Sequence, residues 1–498
     1  MVAVDQRPSR RVKFRAFITA VLFAFRAGFA CAQGLPDLGD VSATSLSDQQ
    51  ETVIGNRVMR DIRADPDYID DPEISDYINS LGQRLVAAAD GPHRDFDFFV
   101  VRDDTINAFA LPGGHVGVYS TLILLTDNES ELAGVIGHEI GHILQHHAAR
   151  SIYGQRGVTI ASLAALALAI AASRAGDQGA QVTEAAVASA GALQMQNQLN
   201  YTREHEREAD RVGLQLLDRA GFAPRAMVTF FQRLLRSNRL NELKGAPSYL
   251  RDHPLTTERI ADMEDRVQNL PSRLVGDTFE YKIAKAKLRV MMAGSPSDAV
   301  ALFQTRLADK SIVRPRDDVY GLALAQRRAR DFEGAWKTLQ PIRTGDSHPA
   351  FELLAGELQS DMGHPEEALR IYQAALQDHP NYRAMVYANL DLLQQMGRAK
   401  EVLADVEKRL RASPQDARLY EIQARAYESV GNITAQHRAQ AEAQYRRDNL
   451  PAAVDQLELA VKTKGGSFYD LSSAEARLRE MRTLLENQRA AEKALKIS

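Results

Sequence analysis

The sequence predicts an α+β domain, mostly helical with a small sheet, followed by an all-α solenoid of helical hairpins. Three observations carry that expectation. The chain has 498 residues, too many for one ordinary hydrophobic core. Between residues 45 and 272 the hydrophobic period switches from helical to strand-like and back. From about residue 280 glycines and prolines recur every 34 residues. The 45% hydrophobic and 25% charged content is ordinary for globular domains. A formal charge of −4 gives no reason to expect a nucleic-acid partner.

Residues 1–32 read as an export leader. Arg7, Arg10, Arg11, Lys13 and Arg15 form a basic start, and "AFITAVLFAFRAGFA" is an apolar run interrupted by Arg26. Ala30 and Ala32 fit a signal-peptidase site with cleavage after Ala32. Lipidation at Cys31 is disfavoured by bulky Phe29, and "SRR" at residues 9–11 matches a twin-arginine signal weakly. Cleavage would remove the only cysteine, so a metal site in the remaining chain must use His and carboxylates.

In the first domain, "DPEISDYINSLGQRLVAAADGP" predicts an amphipathic helix with Pro72 in its first turn and Ile74, Tyr77, Ile78, Leu81 and Leu85 on one face. "FDFFVVRDDTINAFALPGGHVGVYSTLI" is rich in Phe and Val, is punctuated by "PGG", and predicts two or three strands. Thr126 to Glu129 has capping-box spacing ahead of the helix "ELAGVIGHEIGHILQHH". The Ala-rich stretch from Gly157 is short for a membrane span and reads as a buried helix, or else as a cover over the site or a surface helix on a membrane. "LNYTREHEREADRVGLQLLDRAG" is a further helix, stopped by Gly221 and Pro224. Thr256 or Thr257 caps the helix that follows His253.

In the second domain, residues 280–498, Gly363, Gly397 and Gly431 are in 34-residue phase, as are Pro380 and Pro414. "EEALRIYQAALQDHPNY" has the shape of the second helix of a tetratricopeptide unit. About four units are expected, from a degenerate start near Tyr281. Each would bury its neighbour's face and together leave a concave groove.

The chemistry concentrates in "HEIGH". Residues four apart on a helix share a face, so His138 and His142 can grip one ion, while Glu139, one step round, can reach the water such an ion activates. His146 and His147 read as surface residues or as neighbours that support a ligand. Zinc takes a third protein ligand. "REHEREAD" offers Glu204, His205, Glu206 and Glu208, and spacing alone does not choose among them; Asp210 shares a face with Glu206 and could orient a ligating histidine. His115 reads as structural. His253, in "RDHPLTTERI", is either a loop residue or a group that reaches the fourth metal position and latches the enzyme.

His-Glu-x-x-His followed by Glu-x-x-x-Asp on a second helix resembles the gluzincin arrangement. With "NAFALPGGHVGVYSTLI", "EREADRVGLQLLDRAGF" and "HPLTTERI", the chain is similar to the M48 peptidases; the repeats and leader narrow the resemblance to their periplasmic β-barrel assembly-enhancing branch. The resemblance implies His138, His142 and Glu206 as ligands of one Zn²⁺ per chain. It also implies Glu139 as catalytic base and Asp210 as a supporting acid and proton donor. It implies an endopeptidase acting on misfolded or misassembled envelope proteins, with the repeat groove docking substrate or the outer-membrane assembly machinery. The "AFALPGGHV" segment reads as a strand that holds an extended substrate, or as a plain hairpin. The contrasting reading is a chaperone or adaptor with a latched or silent metal site. No segment beyond the leader is long and apolar enough for a membrane-embedded peptidase.

Overall fold

The computed structural model describes residues 48–90, 95–148, 150, 191–240, 248–308, 316–344, 347–464 and 466–497. The leader at 1–32 and the Ala-rich stretch at 157–190 lie outside them. The chain forms two compact units. One contains Ile78–Asp277 with the residues up to Ile69 and the terminal Ala491–Ser498; the other contains Thr278–Ala490 together with Asp70–Tyr77.

The first unit is built on a three-stranded sheet of β1 (Asp97–Val101), β2 (Ala108–Leu111) and β3 (His115–Tyr119) in the order β1-β3-β2. β1 runs parallel to β3, and β2 pairs antiparallel with β3 from Ala108 opposite Val118 to Leu111 opposite His115. β2 is therefore an edge strand. Helix α1 (Asp48–Arg63) lays Met59 and Ile62 on Phe99, Val101, Phe109 and Tyr119 of the sheet. Helix α2 (Pro72–Val86) begins at Pro72, as expected, and its predicted apolar face is buried. Asn79 of α2 fastens it to β1, donating to the Phe98 carbonyl at 2.7 Å and accepting from the Phe98 amide at 3.1 Å.

A short helix, α3 (Ser120–Leu125), leads to the histidine helix α4 (Glu129–Leu144). The cap of α4 differs from the sequence expectation. Thr126 is spent ending α3, its hydroxyl donating to the Ile123 carbonyl. Asn128 caps α4 instead, accepting from the Glu131 amide, while Glu131 accepts from the Asp127 amide. The box is thus shifted two residues along the chain. Helices α5 (Gly191–Arg219), α6 (Pro224–Leu240), α7 (Ser248–Asp252) and α8 (Thr257–Gln268, capped by Thr256) complete the unit.

The second unit is a run of antiparallel helices. They are α9 (Phe279–Met292), α10 (Pro296–Ala308), α11 (Arg316–Arg328), α12 (Phe332–Leu339), α13 (Pro349–Asp361), α14 (Pro365–Asp378), α15 (Arg383–Gln395), α16 (Ala399–Ala412), α17 (Ala417–Ser429), α18 (Ile433–Arg446), α19 (Leu450–Lys462) and α20 (Phe468–Ile497). That is five hairpins before the last pair, one more than the 34-residue phase suggested. The phased glycines Gly363, Gly397 and Gly431 each follow the first helix of a hairpin with φ between 73° and 83°, a left-handed conformation that glycine adopts without backbone strain.

Residues Asp70–Tyr77 belong to this unit although the sequence reading placed them inside the first domain. The reason is electrostatic. Lys287 of α9 is buried and pairs with Asp71 at 2.6 Å and with Glu73; the Tyr382 hydroxyl donates to Glu73, and Arg383 pairs with Asp76. These groups are distant in sequence, and no local pattern announces them. Lys287→Met keeps the length and apolar stem but leaves Glu73 buried without its cation. Urea unfolding of the repeat unit is expected to show a loss of about 3–5 kcal/mol; a loss below about 1 kcal/mol would mean that the pair is solvated.

Candidate metal centre

Helices α4 and α5 pack with their backbones nearly touching. A Cβ at Gly141 would stand 2.9 Å from the Ala209 carbonyl oxygen, and one at Gly213 would stand 3.0 Å from the His138 amide. This approach lets the short carboxylates of α5 reach the imidazoles of α4. His138 Nε2 lies 3.0 Å from His142 Nε2 and 3.4 Å from Glu206 Oε2, and His142 Nε2 lies 3.6 Å from Glu206 Oε1.

A third element closes the cluster. The Tyr249 amide donates to the Ile106 carbonyl at 3.0 Å and Asn107 donates to Asp252, so α7 is tied to the residues that lead into β2. His253 follows α7, its Nδ1 3.3 Å from His138 Nε2 and 3.1 Å from Glu206 Oε1. One donor atom from each of His138, His142, Glu206 and His253 lies within 4.8 Å of the others. Ligands about 2.0–2.1 Å from a tetrahedral zinc stand roughly 3.3–3.4 Å apart. The observed separations, 3.0 to 3.6 Å, bracket that spacing. The donor set, three imidazoles and a carboxylate, also suits zinc.

Glu139 sits beside the cluster, fully buried, and neither of its carboxylate oxygens has a hydrogen-bond partner among the described residues. Its nearest charged neighbour is His253 Nε2, at 3.6 Å. Burial raises the Glu139 pKa, against the pull of His253 and His138, as suits a group that takes up a proton. Burial would lower His138, but Asp210 and Glu206 more than offset it and raise it to about 9. Burial holds His142 well below the usual imidazole range, despite Glu206. Burial would raise Glu206, yet His253 and Arg259 hold it well below the carboxylate range. The field at the cluster favours a cation.

Asp210 does not face the cleft. Its Oδ1 lies 3.0 Å from His138 Nδ1, behind the imidazole, and both its oxygens accept from Arg259 at 2.8 Å. Against its burial, Arg259 and His138 keep Asp210 ionised. Asp210 thus touches His138 on the side away from Glu206 and His142. His115 bonds Asn56 at 3.1 Å and faces Asp97 at 3.4 Å on β3, away from the cluster. Glu204 is exposed and His205 stacks on His147. His146 faces Glu51 at 3.1 Å. Two groups, Arg259 and Tyr249, escaped the sequence reading, while His147 takes the supporting place that was one of its two expected readings. Arg259 binds Asp210 twice, Glu206 at 2.8 Å and the Pro254 carbonyl at 2.9 Å. Tyr249 packs its ring 4.9 Å from that of His253, and its buried hydroxyl has no hydrogen-bond partner among the described residues. His147 is bonded to His142. Arg259 stood in view, six residues after His253, but nothing local marks an arginine as buried.

The description of peptidase family M48 matches residues 72–267. The beta-barrel assembly-enhancing protease of Escherichia coli (strain K12) is 31% identical over 464 residues, 91% of this chain and 92% of its own length. The protein of the same name from Yersinia pestis is 31% identical over 471 residues, 92% and 94% of the two chains. Metalloprotease LoiP of Escherichia coli (strain K12) is 29% identical over 229 residues, 45% of this chain and 83% of its own.

Arg259→Met removes the one arginine, among the described residues, that pairs with the buried Glu206 and Asp210. Without metal the variant is expected to lose about 3–5 kcal/mol of stability. The loss should shrink in saturating zinc, because an ion binding the folded state supplies positive charge in its place. Unfolding curves in chelator and in zinc measure both; equal losses would show that Arg259 does not compensate the ligand carboxylate.

Proposed function

This chain belongs to peptidase family M48 and is a metallopeptidase, and from that premise we propose that it is an exported zinc endopeptidase of the bacterial envelope. The observation that carries the reading is the convergence of four donor atoms beside the buried, unpartnered carboxylate of Glu139. His138, His142 and Glu206 would hold one zinc ion per chain. When bound, zinc supplies Lewis acidity, acidifying a water molecule and polarising the scissile carbonyl. Glu139 takes a proton from the attacking water and delivers it to the leaving nitrogen. Asp210 holds His138 by its far nitrogen. A substrate lies extended along the edge strand β2, paired through its backbone; the position of β2 at the sheet edge supports this.

His253 is a latch. Its Nδ1 takes a fourth corner of the cluster while its Nε2 faces Glu139. The ring stands between ligands and base, where the reacting water has to stand, so turnover requires it to move. The names of the relatives support substrates among misassembled β-barrel proteins, with residues 45–272 as the peptidase and the repeats of 280–498 docking substrate or the outer-membrane assembly machinery. Periplasmic export with cleavage after Ala32 completes this reading. No helix among the described residues is long and apolar enough to cross a membrane. The latch also favours a second reading, an adaptor that works while its metal site is closed.

Purified mature chain is expected to carry one zinc, and Glu206→Gln to lose it or bind it far more weakly. Glu139→Gln should keep zinc while the peptidase rate falls about 100- to 10,000-fold. Full complementation of envelope assembly by that variant would establish the adaptor reading instead. His253→Ala should raise the rate on an unfolded protein and weaken zinc retention. If neither changes, His253 is not a latch.

A further inference from the structure

His142 is held from behind by a chain of groups that the reaction itself does not use. Its Nδ1 lies 2.9 Å from Nδ1 of His147, and His147 Nε2 lies 3.0 Å from Glu208 Oε2. Arg150 donates to the same carboxylate oxygen at 2.9 Å. The His205 ring lies flat on that of His147, with centroids 4.1 Å apart and planes 9° from parallel. His147 is 3% exposed.

The proton positions follow from valence. Two ring nitrogens 2.9 Å apart share one proton, so one donates and the other accepts. His142 turns Nε2 toward His138 and Glu206, where a ligand nitrogen has to offer a lone pair. The single proton of its neutral ring is therefore on Nδ1, and Nδ1–H donates to His147. His147 then carries its own proton on Nε2 and donates it to Glu208, a carboxylate that only accepts. The chain of bonds has one consistent direction.

We propose that His147 and Glu208 form a positioning relay that fixes the tautomer and ring orientation of His142, with His205 setting the plane of His147. It is the counterpart of Asp210 behind His138, with one imidazole interposed because His142 lies farther from the carboxylates of α5. The proposal rests on the reading of His142 as a metal ligand. Groups in this position typically change metal affinity about 10- to 100-fold when removed.

The test is zinc affinity of the full chain by competition with a chromophoric chelator. His147→Phe keeps a flat ring over His205 and has no nitrogen; zinc is expected to bind about 10- to 100-fold more weakly. His147→Asn replaces Nδ1 with an accepting oxygen and is expected to recover most of that loss. Recovery by Asn separates hydrogen bonding from packing. Phe at wild-type affinity, or Asn as poor as Phe, would overturn the relay. Glu208→Ala, at a partly exposed position, carries the test if the Phe variant does not fold: weakened zinc supports the relay, unchanged zinc overturns it. His142→Ala is measured alongside. If it keeps zinc at full strength, the ligand reading fails; if it loses zinc while His147→Phe does not, the relay alone fails.

Discussion

Everything in the metal centre depends on the near-contact of α4 and α5. Helices normally pack with axes 8–10 Å apart, spaced by side chains. Here Gly141 meets the backbone of Ala209 and Gly213 meets that of His138, where even one Cβ would crowd the partner. A carboxylate two methylenes long can then span from one helix to the imidazoles of the other. With larger residues at these positions, Glu206 would fall short of His138 and His142, and Asp210 short of the far side of His138. The motif residues supply chemistry, but the glycines set the distances at which it works.

That packing creates an electrostatic debt of geometry rather than of sequence. Glu139, Glu206 and Asp210 are all buried within one small volume. Burial alone would keep such carboxyls protonated. Arg259 is a permanent cation in the pocket, binding Asp210 and Glu206 together. The contrast between Glu206, held ionised, and Glu139, pushed up, follows from this placement. Glu206 lies 2.8 Å from Arg259, whereas Glu139 faces the His253 imidazole at 3.6 Å. Two glutamates in one site thereby differ in charge state, which suits the proposed division into ligand and base.

How much of this was legible in the sequence follows from the range of each interaction. The apolar face of α2, the three strands, the first-turn proline and the glycine-phased hairpins are local patterns, and they appear as read. The cap of α4 moved because Thr126 was already committed to ending α3, a competition between neighbouring elements that spacing alone does not reveal. His138, Glu139 and His142 were visible as one helical face. Glu206 was one of four candidates until the family resemblance singled it out. Arg259 and Tyr249 were not visible, because burial and ring packing arise only when separate helices meet; for His147 two readings stood open, surface or support of a ligand. The ion pairs that draw Asp70–Tyr77 into the repeat unit belong to the same class, joining residues more than two hundred positions apart.

The relay behind His142 sharpens what α5 contributes. Glu206 and Asp210 are one turn apart and share a face, whereas Glu208 lies about 200° round the helix from Glu206 at 100° per residue. A single helix therefore addresses the metal cluster with one face and the back of His142 with its flank. His205, next to Glu206 and three before Glu208, occupies the same flank and stacks on the ring that Glu208 holds. Rotating α5 by one residue would break the ligand, the support of His138 and the support of His142 together. The phase of α5 is thus fixed by three separate bonds to α4 and its extension, and the close glycine contact is what keeps that phase from slipping.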